Sequence, residues 1–459
     1  MMQQPAFRRL SAFRPAFRTF PVLAAAVAGV LLVGCSSLES LYSSDENKKK
    51  LPGERISVLQ MDSRALPDPT LAATPVAVPP AVTNTEWPQA GGFPDHAMGN
   101  LALPSSLEKA WSSSIGSGSG RLRLVSSPVL ADGRIFTLDA RSRVTALTES
   151  NGKELWQTDL TPEETRGSSF GGGVAAGEGS VFAATGYAEV IALNPADGTI
   201  IWRKRIPAPA RGAPTVVKGR VIAQTIDNQT VALTARTGEV EWNHTGILET
   251  AGMVGAVSPA ADATVVIAPY SSGEITAIRV ENGRPLWQDN LAAVRRGGAL
   301  SGLADIRGLP VIDRGLVFAV SHSGRAVAID ERTGARVWEA ELGGVNTPWP
   351  AGDFVYLITN DNELVALQRE TGHIRWAKPL DRYEDPEDKR STPVVWAGPV
   401  LAGDRLWLVG SNEQLIAVAP ADGSIASTIE LPSRSYLAPV VANGTLYVLT
   451  DSGNLVAYR

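Results

Sequence analysis

Few residues in this 459-residue chain have the types and spacing that metal or nucleophilic chemistry requires. The histidines are scattered, whereas metal sites draw on clustered His, Cys, Asp or Glu side chains. No nucleophile elbow or P-loop occurs, and the glycine run 171–173 lies between a predicted loop and a predicted strand, as turn residues do. The sequence therefore predicts no catalytic residue, no metal site and no cofactor. The four histidines, expected in loops or on strand surfaces, are His96, His244, His322 and His373.

The sole cysteine, Cys35, lies where covalent lipid attachment would occur. Four arginines and no acidic residue precede a short apolar run, 22–33, which is too short to span a membrane and is typical of an export signal. This run ends in Leu32-Val33-Gly34-Cys35, which resembles the bacterial lipobox. We therefore predict a signal peptide over 1–34 and lipidation of Cys35, and Ser36 favours sorting to the outer membrane. An ordinary signal peptide with an unrelated cysteine is the alternative.

Residues 35–85 have the composition of a linker rather than of a folded domain. They are rich in Ser, Lys, Pro and Ala, which predicts an extended, flexible tether between a membrane and a folded body. Lys48-Lys49-Lys50 fits a solvated linker, with contact to anionic headgroups as the alternative. Residues 86–106 are turn-rich and are expected to form a lead-in that packs on the body without belonging to a repeat.

The rest of the chain is organised around one repeated phrase. In each copy an Ala is followed six residues later by Gly and, four residues after that, by Trp. The copies lie roughly 40–50 residues apart, the period of propeller blades. The copies are Ala146/Gly152/Trp156, Ala192/Gly198/Trp202, Ala232/Gly238/Trp242, Ala277/Gly283/Trp287, Ala328/Gly334/Trp338, Ala366/Gly372/Trp376 and, without the Trp, Ala417/Gly423/Ser427.

Each position in the phrase has a physical reason, because the phrase reads as a strand, a tight turn and a second strand. Glycine supplies the positive φ that such turns need. Alanine leaves room for a closely packed sheet, and tryptophan places a large apolar surface on the next sheet. Core packing is therefore the expected role of these tryptophans, and ligand stacking is the alternative.

The two ends of the repeat region complement each other. Residues 437–459 match the first three strands of a repeat, and Trp111 marks a fourth strand without partners. Pairing them would close a ring and cover exposed sheet edges, which a linear solenoid would not need. We therefore predict an all-β, eight-bladed propeller of four-stranded antiparallel blades over 107–459.

Charge argues against nucleic acid as a partner. Without the four arginines before Cys35, 38 basic residues remain against 47 acidic residues, a balance of −9, whereas nucleic-acid binders carry a basic face. The acidic stretch 384–390 fits a solvated loop. Arg295-Arg296 opens a long connection between blades, where propellers place function, and could bind an acidic partner.

The Ala–Gly–Trp phrase over 111–459 resembles the repeat of quinoprotein dehydrogenases. Those enzymes bind quinone and Ca²⁺ on the ring axis and usually carry a disulfide of adjacent cysteines. This chain has no cysteine in the repeat region. A quinone-dependent dehydrogenase is therefore the alternative, and a lipoprotein that binds another envelope component is a third.

The combination of Cys35, the start at Trp111, eight blades and ring closure resembles the outer-membrane protein assembly factor B family. The resemblance implies a non-enzymatic lipoprotein on the periplasmic face of the outer membrane. Its partners would be the POTRA domains of the barrel-assembly protein and other subunits of that machinery. It would help outer-membrane proteins insert, and unfolded clients could add strands to its sheet edges.

The same resemblance implies a partner surface on the connections around the fourth and fifth blades. The family's Asp-x-Asp stretch falls on Asp305 and Arg307, of which only Asp305 matches. Its second contact loop falls on Met253 and Val254, of which only Met253 is comparable. These four residues are the predicted partner contacts, with loop packing as the alternative.

Overall fold

Each copy of the repeat folds as a four-stranded antiparallel sheet, and eight such sheets form an eight-bladed β-propeller. The computed structural model describes residues 65–118, 123–163, 171–249, 257–293 and 303–459.

Blade 1 contains β2–β5, blade 2 β6–β9, blade 3 β10–β13, blade 4 β14–β17, blade 5 β18–β21, blade 6 β22–β25 and blade 7 β26–β29. Blade 8 contains β30–β32 and β1. The strands are β1 (Lys109–Ser114), β2 (Val129–Ala131), β3 (Arg134–Leu138), β4 (Arg143–Thr148), β5 (Glu154–Asp159), β6 (Gly172–Gly177), β7 (Ser180–Thr185), β8 (Glu189–Leu193), β9 (Ile200–Arg205), β10 (Thr215–Val217), β11 (Arg220–Gln224), β12 (Gln229–Thr234), β13 (Val240–Thr245), β14 (Ala260–Ala261), β15 (Val265–Pro269), β16 (Glu274–Arg279), β17 (Pro285–Asn290), β18 (Val311–Asp313), β19 (Leu316–Ser321), β20 (Arg325–Asp330), β21 (Arg336–Ala340), β22 (Trp349–Ala351), β23 (Phe354–Ile358), β24 (Glu363–Gln368), β25 (Ile374–Pro379), β26 (Trp396–Ala402), β27 (Arg405–Gly410), β28 (Gln414–Val418), β29 (Ile425–Glu430), β30 (Val440–Ala442), β31 (Thr445–Leu449) and β32 (Asn454–Tyr458).

The first strand of each blade lies next to the central channel, because first strands of neighbouring blades contact one another around the ring. Second and third strands are almost wholly buried, as in β23 and β24. Fourth strands lie outermost and are mostly exposed, and in β5 only Trp156 is buried. The core is therefore a series of apolar layers between adjacent sheets.

The ring is closed by the two distant chain segments that the sequence predicts to pair. Strand β1 adds antiparallel to β32, with Trp111 opposite Ala457 and Ser113 opposite Leu455. One apolar cluster runs through blades 6, 7, 8 and 1. The prediction of eight blades with a shared last blade is confirmed.

The Ala–Gly–Trp phrase builds the junction between successive blades. Each Ala lies directly across from the Trp of its own blade, as Ala328 does from Trp338. That Trp covers the turn glycine of the next blade, where an added Cβ would come within 2.4–2.9 Å of the indole. These glycines have φ of +70° to +74°, so both backbone and space require glycine. The indole Nε1 also donates at 2.6–3.0 Å to a carbonyl three residues before that glycine, in the pairs Trp156–Pro195, Trp202–Ala235, Trp242–Val280, Trp287–Glu331, Trp338–Arg369 and Trp376–Pro420.

The copy without tryptophan has a structural explanation. Ser427 occupies the Trp position of blade 7. The next blade around the ring, which a tryptophan here would cover, is blade 8. There the third and fourth strands, β32 and β1, come from distant parts of the chain. No hairpin turn joins these two strands, and the usual target of the indole is missing.

Residues 65–85 lie on the propeller, which differs from the flexible tether predicted up to residue 85. A short 3₁₀ helix, Pro69–Leu71, follows Asp68, whose N–H donates to Ile374 O on the outer strand of blade 6 at 2.7 Å. The Arg375 Nε donates to Thr74 O nearby. This is the only helix in the described ranges, and it is far too short to cross a membrane.

Residues 82–103, here called the belt, run once around one end of the channel. The belt closes on itself where Val82 pairs with Leu101. It forms at least one hydrogen bond of 2.7–3.1 Å with every blade, at or next to the end of each first strand. In chain order from blade 8 to blade 7, these bonds are Asn443 N to Asn84 O, Trp87 N to Leu130 O, Ala176 N to Pro88 O, Gln89 Nε2 to Val216 O, Ala261 N to Pro94 O, Ile312 N to Asp95 O, Trp349 Nε1 to Gly99 O and Leu101 N to Leu401 O.

Candidate functional site

The two ends of the propeller differ in what covers them. The belt covers the end where first strands finish, here called the belt face. The opposite end, here called the connection face, carries the segments that lead from one blade to the next and the turns between second and third strands. Loops that exceed a tight turn are where rigid scaffolds place binding residues. The connection face is therefore the candidate functional surface.

A cavity of about 440 Å³ occupies the channel. Belt residues Trp87 and His96, together with Trp349, line the end of the cavity at the belt face. Arg123, Arg307 and Tyr436 line it on the inter-blade connections. The Arg123 guanidinium lies over the Tyr436 ring, 4.2 Å from its centre, in a cation–π contact.

Asp305, a predicted partner contact, is buried and ion-paired with Arg211. The two side chains belong to different connections, before blade 5 and before blade 3, and are 1% and 6% exposed. The Arg211 Nη2 also lies 3.4 Å from Ile306 O, and the Asp305 carbonyl accepts from His322 N at 2.9 Å. The sequence predicts Asp305 on a partner surface, whereas the structure buries its carboxylate against Arg211, which lies 94 residues away in the chain.

Arg307 lies at the cavity and is largely buried. Desolvation lowers the pKa of its guanidinium, and the positive charges of Arg211 and Arg123 act in the same direction, while Asp305 opposes them. Neither Arg307 nor Arg123 forms an ion pair with another described residue. Three arginines and the Asp305 carboxylate therefore give this part of the channel a positive balance.

Three exposed aliphatic side chains lie together on the connection face of blades 3 and 4. Ile226, Ile247 and Leu248 are 55%, 56% and 70% exposed. Asn228 fixes their two segments, because its Nδ2 donates to Ile247 O at 2.7 Å and its carbonyl accepts from Gly246 N at 2.8 Å. Sequence reasoning missed this group, although two adjacent aliphatic residues in a loop were a usable signal.

Other predicted residues lie outside the described ranges or have structural positions. Cys35, Met253, Val254 and the pair Arg295-Arg296 are outside them. The repeat tryptophans Trp111, Trp156, Trp202, Trp242, Trp287, Trp338 and Trp376 lie at blade junctions, as expected for core packing. In the described part of the chain, no group of three or more His, Cys, Asp or Glu side chains could hold a metal ion.

His96 is buried in the belt, whereas the sequence predicts a surface position. Its Nδ1 lies 2.7 Å from Pro310 O, and burial lowers its pKa from 6.5 to about 4. The unfolded chain therefore binds a proton at higher pH than the folded chain. The stability contributed by neutral His96 is complete above about pH 6.5 and is lost as the pH falls towards 4.

We expect His96→Asn to flatten the dependence of stability on pH in this window. Asparagine tolerates the left-handed backbone at this position, where φ is +63°, and it has no proton to gain. Between pH 6.5 and pH 4, the free energy of unfolding of the unmodified protein should fall by about 3 kcal/mol more than that of the variant. Melting curves of both proteins at several pH values would measure it, and parallel pH profiles would contradict the assignment.

Comparison with known proteins gives one family. The family model described as outer membrane protein assembly factor BamB matches residues 104–167, 140–378 and 385–459. The outer membrane protein assembly factor BamB of Yersinia pestis is 29% identical over 356 residues, which cover 76% of this chain and 88% of that protein. Among solved structures, BamB from Moraxella catarrhalis aligns with a TM-score of 0.61 at 20% identity, covering 77% of this chain and 98% of that one. A quinohemoprotein alcohol dehydrogenase from Comamonas testosteroni has the same fold, with a TM-score of 0.62 at 15% identity and coverage of 82% and 81%.

Proposed function

The chain belongs to the outer membrane protein assembly factor BamB family, and we propose that it is a non-enzymatic scaffold of the barrel-assembly machinery. In this proposal Cys35 is lipidated and holds the propeller on the periplasmic face of the outer membrane. The propeller binds the POTRA domains of the barrel-assembly protein and helps outer-membrane proteins insert. The rigid ring supplies a fixed platform, and exposed fourth-strand edges could accept client strands.

The observation that carries this proposal is the aliphatic group Ile226, Ile247 and Leu248. An exposed apolar patch is typical of a protein-binding site. Met253 and Val254, which follow Leu248 closely in the chain, remain proposed contacts. Arg307 is also retained as a proposed contact, whereas Asp305 would act by holding the connection in place.

The residues of the channel do not fit the quinone and Ca²⁺ of the alternative function. Calcium takes six to eight oxygen ligands, several of them carboxylates. The described cavity lining contains arginines, apolar side chains and neutral polar side chains such as Asn346 and Thr347, and no Asp or Glu. We therefore favour binding over quinone-dependent oxidation.

Replacing Ile247 and Leu248 together by Ser should weaken co-purification with the barrel-assembly protein. Each buried aliphatic side chain contributes about 1.5–3 kcal/mol, so the loss should reach about a hundredfold in affinity. The melting temperature should not change, because both side chains are already exposed.

Ile425→Ser is the matched control, since Ile425 is 60% exposed on the outer strand of blade 7. It should co-purify like the unmodified protein. Equal binding by the double variant and the control would remove this patch from the proposed interface. A fall in the melting temperature of the double variant would show that the residues serve the fold.

A further inference from the structure

The central cavity has the construction of a ligand site that the scaffold function does not require. It lies between belt residues Trp87 and His96 at one end and the connection residues Arg123, Arg307 and Tyr436 at the other. Its volume of about 440 Å³ falls within the range of small-molecule pockets.

Charge and apolar surface are separated along the depth of this cavity. The lining segments run from the connection face towards the first strands, as 123–127, 307–309 and 436–440 do. Their first residues are Arg123, Arg307 and Tyr436. The lining nearer the first strands has no charged side chain. Its apolar members include Leu124, Leu437, Val440, Val400, Trp87 and Trp349, and its polar members are Ser126, Ser127, Ser258, Asn346, Thr347 and His96.

The arginines at this end of the cavity outnumber the carboxylates that act on them within the described residues. Asp305 is ion-paired with Arg211 and also attracts Arg307, and Asp451 lies within electrostatic reach of Arg123. The ion pairs of the described chain include neither Arg123 nor Arg307. Arg123 is exposed, whereas Arg307 is largely buried beside two other arginines. A guanidinium in that position is stabilised by an anion, and a carboxylate matches its paired donors.

We propose that the cavity binds a small amphipathic carboxylate, with its apolar body against the tryptophan floor and its carboxylate on Arg307 and Arg123. The apolar side chains of the lining would contact the apolar body of the ligand, and the two arginines would bind its carboxylate. The site would be distinct from the aliphatic patch at Ile247 and Leu248, so the two proposals can fail separately.

Titrating the full mature chain with straight-chain carboxylates tests the proposal. Butyrate, hexanoate and octanoate, followed by calorimetry and by the fluorescence of the floor tryptophans, should bind about fourfold more tightly for each added methylene group. Octylammonium has the same body and the opposite charge, and it should bind at least tenfold more weakly than octanoate.

Variants distinguish a built site from general attraction of anions. Arg307→Gln should weaken octanoate binding about tenfold or more, and Arg307→Lys should retain part of the affinity. Arg134→Gln, on the belt face, is the control and should bind normally. Any of four results would overturn the proposal. The affinity could be independent of chain length, or octylammonium could bind as tightly as octanoate. The Arg307→Gln variant could melt normally and bind octanoate as the unmodified protein does, or octanoate could fail to bind at millimolar concentration.

Discussion

Asp305→Asn is expected to lower the free energy of unfolding by about 3–5 kcal/mol, because it leaves the buried Arg211 guanidinium without its counter-charge. Both side chains are almost inaccessible to water. The pair also ties the connection before blade 3 to the connection before blade 5. Urea and thermal unfolding of the variant would measure the loss.

The double variant Arg211→Met with Asp305→Leu is the informative control. Apolar residues can replace a buried ion pair at little cost, so the double variant should recover most of the stability lost by either single change. If it also recovers co-purification with the barrel-assembly protein, Asp305 supports the partner surface only by positioning it. If Asp305→Asn melts like the unmodified protein and loses the partner, the surface contact predicted from the sequence is correct.

The fold could be predicted because its information is local and repeated. Gly334 and its equivalents need positive φ within a single hairpin, and each tryptophan needs only the next copy of the same phrase. Such contacts recur at a fixed spacing, so the sequence displays them many times. The closure of the ring followed for the same reason, since β1 and residues 437–459 are two parts of one repeat.

The sequence predicts a lead-in over 86–106 that packs on the body, but the path of the belt around all eight blades and the Arg211–Asp305 pair could not be predicted, because neither repeats. Belt residues such as Pro88 and Pro94 contact the blades through main-chain carbonyls, which leave no side-chain pattern in the sequence. Asp305 and Arg211 are ordinary loop residues until the ring brings their connections together. The functional surface of this propeller therefore depends on non-repeating segments, whereas the repeats supply only its support.

The belt should be a main determinant of stability, and Trp87→Ala should show this most clearly. Trp87 is 3% exposed and stacks on Trp349, with ring centres 6.4 Å apart. Its backbone N–H and carbonyl both bond to Leu130. Truncation of a buried tryptophan costs about 3–5 kcal/mol, and here it removes the stacking on Trp349 while the two main-chain bonds to blade 1 remain. Thermal and urea unfolding would measure the loss.

Trp111→Ala provides the comparison, since Trp111 belongs to the repeat phrase but is only half-buried. The indole Nε1 has no hydrogen-bond partner in either tryptophan, so the two truncations differ mainly in the apolar surface that they expose. The sequence assigns Trp111 to a repeat strand and residue 87 to the lead-in outside the repeats, whereas the structure predicts the larger loss for Trp87. Acrylamide should also quench Trp349 more strongly in the Trp87→Ala variant, because the floor of the cavity opens to solvent. A smaller loss for Trp87→Ala than for Trp111→Ala would mean that the ring holds its shape without the belt.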